Sequence, residues 1–591
     1  MALSAAQIAQ QKKQVEEMLF EGPDKLGFAK ALFFGHARAD HVFPYPTLPT
    51  DQRQVSDEAV SKLRQFCTTS IDAAAIDRQA DIPRSVIDGL GQLGVLGMTG
   101  PKSHGGLGFN QQQYCKALEV LGGHCSSTAV FVNAHGSIGI RALMLFGTKE
   151  QQDRWLPGLC AGQKLGAFAL TEEKAGSDAG NVQTTATPTE DGKAYILNGT
   201  KRYITNGAIA DVLTVMARTP VSGSSETKVT AFLVTPDMPG FKIVEARKEK
   251  CGIRGTATAW LAFENMRVPA ENVLGKVGKG LRVALTVLDF GRTTFGATCT
   301  GAAKTCLKAM VKHAKSRVQF QQTLSEFELV KKKIAFAAAH AFAMEAMTTI
   351  CAKLIDSGDD DYMLETAMLK VFATEHVWTI VNETIQLYGG QAYFSDEPYE
   401  RMMRDARINT IGEGANDVLK AFIAVVGSRG PGLQLDAARR NPLKHASKLT
   451  AVAWEQSGGR WSVPDLPVKG ASLAAPAKAV ARHIKQLGLA LPWVFLRSGT
   501  EEKYVQSQYI HERLADIAID LYASACVLSR LDHLLAQGNG DARKAKADAA
   551  AGRLFLKQAD RRIRANFAAL KDHDDADTTA AGDAAMDAYG A

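Results

Sequence analysis

The feature that most constrains the fold is a change of residue pattern partway along the chain. Between residues 55 and 165, apolar side chains recur with the 3.6-residue period of helices, as in DEAVSKLRQFCTTSIDAAAI. From 166 to 280, short runs rich in β-branched residues replace that period, among them DVLTVMART and KVTAFLVTP. The helical period returns at Gly280, lasts to about 427 and resumes from about 440 to 570. This α–β–α order with an extra helical unit predicts an α+β fold and excludes a regular βαβ repeat.

Stretches rich in proline, glycine or acidic residues supply the domain boundaries. The proline-punctuated FPYPTLPT ends an irregular start, and GSRGPGLQLDAARRNP is predicted to be a linker. Asn198–Gly199, between two β-forming runs, predicts a hairpin turn. The predicted domains are an N-terminal extension at 1–54, a helical domain at 55–165, a β domain at 166–280, a helical domain at 281–430, an additional helical domain at 431–571 and an acidic, disordered tail at 572–591.

Composition narrows the class of protein. The net charge of +7 is small for 591 residues and does not indicate nucleic-acid binding. Nine cysteines without a CxxC pair offer no metal-ligand spacing and favour a reducing compartment. The first residues lack the apolar core of a signal peptide, and no uninterrupted run of about 18 apolar residues predicts a membrane span. A cytoplasmic, bacterial-type protein is therefore expected.

Two glycine-containing motifs leave alternatives open. GLGQLG at 89–94 has the spacing of a dinucleotide-binding turn, but no strand precedes it, so close helix packing is favoured. The loop LTEEKAGSDAGNVQTTA at 170–186 combines glycines with small hydroxyls. That combination suits phosphate or flavin polar atoms, and it is also typical of an ordinary glycine loop. Tyr203 and Thr205 further on are candidates either to face a flat ring or to join the core.

A third motif, RINTIGEGAND at 407–417, places one carboxylate between two glycines. Glu413 stands between Gly412 and Gly414 and follows Ile411, whose position reads as buried. Taken alone, the motif is typical of a solvated loop carboxylate. The motif points to a chemical role only when it is considered together with other motifs.

Four sequence blocks in a fixed order provide these other motifs. FALTEEKAGSD, YILNGTKRYITNG, QLYGGQAYFSDEPYERMMRDARI and IGEGAND resemble the acyl-CoA dehydrogenase family over about residues 55–427. The α–β–α order is also that family's architecture. FAKALFFGHARADHVFPYP near the start and YIHERLADIAIDLYASACVLSR at 509–530 resemble segments that flank the core in the very-long-chain type, and the extra helical unit is typical of that type.

The resemblance implies a FAD-dependent oxidation of a long-chain acyl-CoA thioester to the trans-2-enoyl-CoA. Glu413 matches the family's catalytic base, which removes the α-proton while the β-carbon hydride passes to flavin N5. Some relatives carry the base instead beside the Arg of an LDFGR-like segment, but Gly291 precedes Arg292 here and cannot act as one. The developing enolate oxygen would meet the Glu413 backbone N–H and a flavin hydroxyl.

The resemblance also implies which residues form the binding sites. For the flavin these are Phe168, Leu170, Thr171, Tyr203 and Thr205 from one subunit, Arg317, Phe320, Gln386 and Gly390 from a neighbouring subunit, and Ala415 and Asp417 beside the base. For the substrate they are Ser177, Asp289, Arg292, Glu413 and Gly414. No metal is implied. A flavin site shared between subunits implies an oligomer, and the subgroup implies a homodimer that passes electrons to an electron-transfer flavoprotein.

The sequence departs from the family pattern close to the base. Ala415 stands where Thr is usual, Gly412 where a large apolar residue is common, and Ala392 where the glycine block has its third Gly. Glu173 and Lys174 replace a Pro and a small residue. The floor of the acyl pocket is expected at 125–139, where Ser127, Ala129 and Asn133 are small without being Gly. Long chains are therefore favoured over very long ones.

The C-terminal unit contains an amphipathic basic helix. In AKAVARHIKQLGLALPWVFLR, the apolar face contains Val480, Ile484, Leu487 and Leu491, and the basic face contains Lys478, Arg482 and Lys485. Such a helix either lies on a membrane surface, as the relatives' does, or packs on the body. RLFLKQADRRIRANF has the same two interpretations. An oxidase that uses O₂ and a membrane-associated assembly or scaffold protein on this fold remain alternative functions.

Overall fold

The computed structural model describes residues 26–221, 226–359, 361–440, 463–537 and 542–590. For residues 434 and 436–440 this description covers the backbone alone. Two compact units are formed, one by residues 46–415 and the other by 26–45 together with 416–590. The predictions for residues 1–25 and 441–462 lie outside the described residues. The first residues that are described therefore belong with the C-terminal unit, an assignment that the sequence did not predict.

Helices account for most of the described chain. In chain order they are α1 Phe28–Phe33, α2 Ala39–Val42, α3 Thr50–Ser70, α4 Ala73–Gln79, α5 Arg84–Gln92, α6 Gln111–His124, α7 Ser126–Asn133, α8 Arg141–Phe146, α9 Lys149–Cys160, α10 Gly280–Ser316, α11 Glu328–Asp356, α12 Met363–Tyr388, α13 Tyr399–Arg407, α14 Asn416–Arg440, α15 Ala474–Ser498, α16 Glu501–Gln506, α17 Gln508–Gln537, α18 Ala542–Ala569 and α19 Asp575–Tyr589. A π-helix, Ala134–Ile140, joins α7 to α8.

An eight-stranded mixed sheet lies between the two helical parts of the first unit. Its strands are β1 Gly166–Ala169, β2 Thr185–Pro188, β3 Ala194–Thr205, β4 Val212–Pro220, β5 Thr227–Val234, β6 Phe241–Glu245, β7 Thr258–Pro269 and β8 Val273–Leu274. The strand order is β6-β7-β3-β2-β4-β5-β8, and β1 pairs in parallel with β4. The predicted order of helical domain, β domain and helical bundle is confirmed.

The hairpin predicted at Asn198–Gly199 is wrong, because β3 runs straight through both residues. The register with β7 shifts between Leu197 and Gly199, which marks a bulge there. A Cβ on Gly199 would lie 2.6 Å from the Thr184 hydroxyl, so this glycine serves a close approach. The actual turn lies just before β3, where Gly192 has φ +65° and Thr189 N bonds Ala194 O at 2.9 Å.

The GLGQLG motif lies mostly within helix α5, as close packing predicts. A Cβ on Gly89 would overlap the Phe66 ring, and one on Gly91 would lie 2.9 Å from Ala161 O. The glycines therefore allow close contact between helices and make no dinucleotide turn.

The linker predicted at 427–442 is also wrong over its described part, since α14 continues to Arg440 with Pro431 inside it. The glycines that suggested a linker provide space for aromatic rings. A Cβ on Gly427 would overlap the Phe33 ring, and one on Gly430 would lie 2.5 Å from Phe34 Cζ. Packing of this kind overrides the low helix propensity of glycine and proline.

The tail predicted to be disordered includes helix α19. Its many alanines are strong helix formers, and Asp575 and Asp577 lie in the first turn, where the helix dipole favours acidic residues. The Arg513 guanidinium holds both carboxylate oxygens of Asp575, which anchors that turn. No residue of α19 is buried.

The C-terminal basic helices pack within their own unit. Val480, Ile484, Leu487 and Leu491 of α15, the face considered for a membrane, are all buried. Phe555 and Ile563 of α18 are buried too, while Leu489, Trp493 and Leu496 of α15 stay exposed. Two helical stretches, Ser126–Phe146 and Glu328–Asp356, are long and apolar enough to cross a membrane, and 67% of the apolar 18-residue window in each is buried in the protein.

Candidate active site

The turn after α13 carries Glu413 in an unusual backbone conformation. Gly412 N bonds Ile408 O at 2.8 Å, which closes the turn. Glu413 then has φ +56° and Gly414 has φ +100°. A non-glycine residue in the left-handed region costs about 1 kcal/mol or more, and such strain is concentrated at functional sites. Ile411, expected to be buried, is 51% exposed, because the turn directs it outward.

The Glu413 side chain lies beneath the surface although its backbone does not. Asn133 Nδ2 donates to Oε1 at 3.2 Å. Oε2 is buried and has no hydrogen-bond partner among the described residues. Burial raises the pKa of Glu413 to about 7, against the opposing effects of Arg292, Lys370 and Asn133. A carboxyl group with this pKa is half ionised near neutral pH, as a general base requires.

The glycine before Arg292 provides space for the carboxylate. A Cβ on Gly291 would overlap Glu413 Oε2 and lie 3.0 Å from its Cδ. The two positions considered for the base, on helix α10 and on the turn, therefore share one volume. Only one of them can hold a carboxylate, and in this chain it is Glu413.

Two cations hold the backbone around Glu413. Arg292 Nε donates to Glu413 O at 3.4 Å, and its Nη1 pairs with Asp289 Oδ1 at 3.1 Å. Burial raises the pKa of Asp289, opposed by Arg292 and by the Thr366 hydroxyl at 2.8 Å. From α12, Lys370 Nζ donates to Gly414 O at 2.7 Å. Burial lowers the pKa of Lys370 to about 8, opposed by the nearby Glu413.

The residues predicted for one flavin wall come together at β1 and β3. Phe168 lies in β1, and Leu170 and Thr171 follow that strand. Lys201 Nζ donates to Leu170 O at 3.0 Å, and the backbone N–H of Arg202 donates to Thr171 O at 2.9 Å. Tyr203 has φ +59° and is 57% exposed, at a second register shift of β3. Thr205 ends the strand.

A buried ion pair supports this wall. Lys201 Nζ lies 2.6 Å from Glu172 Oε1, with side-chain exposures of 0% and 4%. Glu172 also accepts from Gln183 N, Thr184 N and the Thr184 hydroxyl. Burial favours a higher pKa for Glu172, but Lys201 and these donors outweigh it, so the pKa is lowered. Burial lowers the pKa of Lys201 to about 8, although Glu172 opposes this effect.

The residues predicted to reach a neighbouring subunit lie at the protein surface. Phe320, in the hairpin formed by β9 Val318–Gln319 and β10 Gln322–Thr323, is 89% exposed. Arg317 before it, and Gln386 and Gly390 at the end of α12, are exposed as well. His313 stacks on Tyr388 with ring centroids 4.0 Å apart, which connects the ends of α10 and α12. Exposed Tyr393 and Phe394 follow the Gly390 turn.

The remaining predicted residues are more dispersed. Ser177 is exposed in the glycine-containing loop, and Asp417 is exposed in the first turn of α14. Ala415 is half-buried directly after the turn. The sequence interpretation missed the contacts of Asn133 and the position of Lys370 beside the site. A lone lysine inside the apolar run of α12, between Leu369 and Val371, was the available signal.

A small cavity lies on the same helices as the site. It is lined by Ser126, Val130, Thr298, Cys299, Ala302, Val377, Val381, Met402, Ala406 and Asn409. Val130 precedes Asn133 by about one turn of α7, and Thr298 follows Gly291 by about two turns of α10. The cavity and the Glu413 carboxylate therefore border the same two helices.

Family models match the chain in four places. They are the acyl-CoA dehydrogenase N-terminal domain at residues 51–163, the middle domain at 167–266, the C-terminal domain at 278–427 and the ACAD9/ACADV C-terminal domain at 471–586. The first three cover most of the unit that holds Glu413, and the third extends past Ala415 into α14. The fourth covers most of the added helical part.

Known proteins agree with these matches. The chain is 35% identical to the very long-chain specific acyl-CoA dehydrogenase, mitochondrial, of Bos taurus, over 92% of this chain and 84% of that protein. It is 34% identical to a probable acyl-CoA dehydrogenase, FadE10, of Mycobacterium tuberculosis, over 95% and 88%. An acyl-CoA dehydrogenase complexed with FAD from Bacillus anthracis superposes with a TM-score of 0.77 at 28% identity, over 92% and 91%. Butyryl-CoA dehydrogenase of Megasphaera elsdenii superposes with a TM-score of 0.60 at 32% identity, over 66% and 100%. The chain therefore belongs to the acyl-CoA dehydrogenase family and carries the additional C-terminal domain of its ACAD9/ACADV members.

Proposed function

We propose that this protein is a FAD-dependent acyl-CoA dehydrogenase that converts a long-chain acyl-CoA to the trans-2-enoyl-CoA in fatty acid β-oxidation. The observation that carries the proposal is the Glu413 carboxylate. One of its oxygens is buried without a partner among the described residues, and its pKa is raised to about 7 by burial. A site that leaves a carboxylate oxygen unpaired is suited to receiving a proton from a bound molecule.

The residues present fit a flavin. The exposed Tyr203 ring stands at a bulge, and the backbone of Leu170 and Thr171 is fixed beside it by Lys201 and Arg202. Bound FAD would supply the acceptor for the hydride that leaves the β-carbon. Tyr203, Thr205, Leu170 and Thr171 would hold its ring system, as the sequence resemblance implies.

The chain's own residues account for the proton step. Glu413, ionised, takes the α-proton onto its unpaired Oε2. The Glu413 backbone N–H would face a thioester oxygen, where it would stabilise the charge that develops. Lys370 and Arg292 hold the carbonyls of Gly414 and Glu413, so the turn stays in place while the charge moves. Burial of the carboxylate excludes water, which strengthens these electrostatic interactions.

Anaerobic titration of the purified, FAD-loaded protein with acyl-CoAs from C4 to C20 tests the proposal. Long-chain acyl-CoA should bleach the flavin absorbance in the wild type and leave it unchanged in Glu413→Gln. Full bleaching in Glu413→Gln would contradict the assignment of the base, and no bleaching of the wild type by any chain length would contradict the activity. Peroxide release in air would instead identify an oxidase.

The preference for long chains rests on the sequence comparison, because the chain's relatives include very long-chain specific enzymes. The C4 to C20 series therefore also measures which acyl chain length reduces the flavin most completely.

We further propose that the protein acts as a homodimer that passes electrons to an electron-transfer flavoprotein. Phe320, Tyr393 and Phe394 expose large aromatic surfaces next to Arg317 and Gly390, the residues expected to complete the partner's flavin site. Sedimentation analysis of the wild type and Phe320→Asp measures whether the protein is a dimer.

A cytoplasmic location with peripheral membrane contact is also proposed. The exposed Leu489, Trp493 and Leu496 would make that contact, and vesicle co-sedimentation measures the membrane binding.

A further inference from the structure

Three buried polar side chains form a chain that ends at the Glu413 carboxylate. Asn133 is 2% exposed, and Thr294 and Ser137 are each 0% exposed. The Thr294 hydroxyl donates to Asn133 Oδ1, and the Ser137 hydroxyl lies 3.1 Å from the Thr294 hydroxyl. Asn133 Nδ2 then donates to Glu413 Oε1 at 3.2 Å. The series of bonds runs from Ser137 in the π-helix to Thr294 in α10, then back to Asn133 in α7 and on to the turn that holds Glu413.

The two ends of the Asn133 amide face different groups. Its NH₂ group faces Glu413 Oε1, and its carbonyl oxygen faces the Thr294 hydroxyl, which also lies within hydrogen-bond distance of the Phe290 and Gly291 carbonyl oxygens. An NH₂ group can only donate, and an ionised carboxylate can only accept. The amide therefore stabilises the charged form of Glu413, the form that can remove a proton.

Two cations near Glu413 contact the backbone of its turn. Arg292 from α10 donates to the Glu413 carbonyl, and it is itself paired with Asp289. Lys370 from α12 donates to the Gly414 carbonyl. Among the described residues, Asn133 is the one whose side chain is hydrogen-bonded to the carboxylate itself. Gly412 and Gly414 on either side have no side chains that could restrain it.

We infer that Asn133 is a positioning residue for the base, holding Oε1 so that the unpaired Oε2 faces the α-carbon of the substrate, with Thr294 fixing the Asn133 amide. The inference rests on the proposed function. It assigns to Asn133 a role beyond that of a small residue on the pocket floor. Loss of the Asn133 amide should therefore change the pH at which Glu413 ionises as well as the rate of the reaction.

Asn133→Leu tests the inference, because leucine has a similar size and no donor. We expect kcat to fall about 10- to 100-fold, the range for loss of a hydrogen bond to a charged group. The acidic limb of the kcat/KM profile should move to higher pH by about one unit, because the ionised form loses its donor. FAD content and thermal midpoint should stay near those of the wild type.

Thr294 provides a matched pair of variants. Thr294→Val keeps the shape of the side chain and removes the hydroxyl that orients Asn133, whereas Thr294→Ser keeps the hydroxyl. We expect Thr294→Val to shift the acidic limb upward by a smaller amount and Thr294→Ser to keep the wild-type limb. The infrared carboxyl band of Glu413, as a difference against Glu413→Gln, should follow the same order without any turnover.

The outcomes separate this inference from the proposed function. Oxidation of acyl-CoA by the wild type with an unchanged acidic limb and carboxyl band in Asn133→Leu would overturn the inference alone. Failure of the wild type to oxidise any acyl-CoA would overturn the function. If Asn133→Leu does not fold, the Thr294 pair decides, and identical limbs and carboxyl bands in Thr294→Val and Thr294→Ser would overturn the inference.

Discussion

Two buried carboxylates in the same unit have opposite environments. Glu172 accepts hydrogen bonds on both oxygens and pairs with Lys201, and its pKa is lowered. Glu413 has one donor on Oε1 and an unpaired Oε2, and burial raises its pKa to about 7. Both lie close to cations. The cation beside Glu172 contacts the carboxylate, whereas the cations beside Glu413 contact backbone carbonyls.

This difference separates the environment of a fully paired structural carboxylate from the environment expected of the proposed base. A fully paired buried charge resists change, and the removal of its partner leaves an uncompensated ion. A partly paired carboxylate can gain a proton at moderate cost, which is useful only if a substrate delivers that proton. Substitutions at the two sites should therefore affect different measurements.

The largest effect is expected from Glu413→Gln. Loss of the general base should lower kcat by about 10²–10⁴-fold. The thermal midpoint should stay the same or rise, because the substitution removes an incompletely paired buried acid. Stopped-flow reduction of the flavin and calorimetry measure the two quantities. A clear loss of stability with retained activity would show that Glu413 resembles Glu172 after all.

Lys201→Met should produce the reverse pattern. It leaves Glu172 buried without its cation, and the free energy of unfolding should fall by about 3–5 kcal/mol. Urea denaturation of the variant measures this loss. The double variant Lys201→Met/Glu172→Leu is the matched control and should recover most of it, because both charges are then gone. A loss of equal size in both variants would mean that the ion pair is not the cause.

Gly291→Ala tests whether the Glu413 carboxylate needs the space that this glycine leaves. The added methyl group would overlap Oε2, so kcat should fall by up to about 100-fold as the base is displaced. Gly296→Ala, on the same helix, is the control, since its methyl group would meet the buried side chain of Leu369 and not Glu413. Equal activity in the two variants would contradict the close approach.

The last prediction needs no substitution and concerns the response of the wild type to pH. Because the base must be ionised, kcat/KM should rise with pH and level off above the Glu413 pKa of about 7. Below that pH it should fall roughly tenfold per unit. The Glu172 carboxyl should stay ionised in the same interval, since its pKa is lowered. A flat profile between pH 5 and 8 would contradict the raised pKa of Glu413.

The sequence predicted the layers of the fold well and its local geometry poorly. The 3.6-residue period of apolar side chains predicted the helical regions, and the runs of β-branched residues predicted the β region. Both patterns reflect which faces are buried. Asn198–Gly199 and Gly427–Gly430 were misread as a turn and a linker, since the same residues also permit a bulge or a close ring contact. A glycine indicates a position that has no room for a side chain, but the sequence does not show whether a turn, a bulge or a neighbouring ring causes this.

The sequence alone determined the family and the order of domains, and it predicted Glu413 as the base, because ordered motifs of this length rarely coincide by chance. The tertiary structure decided how Glu413 is made ready. Asn133, Gly291 and Lys370 lie between 43 and 280 residues away from it along the chain, the last figure being the separation of Asn133 from Glu413. Burial, an unpaired oxygen and a raised pKa arise only when these distant segments enclose one carboxylate.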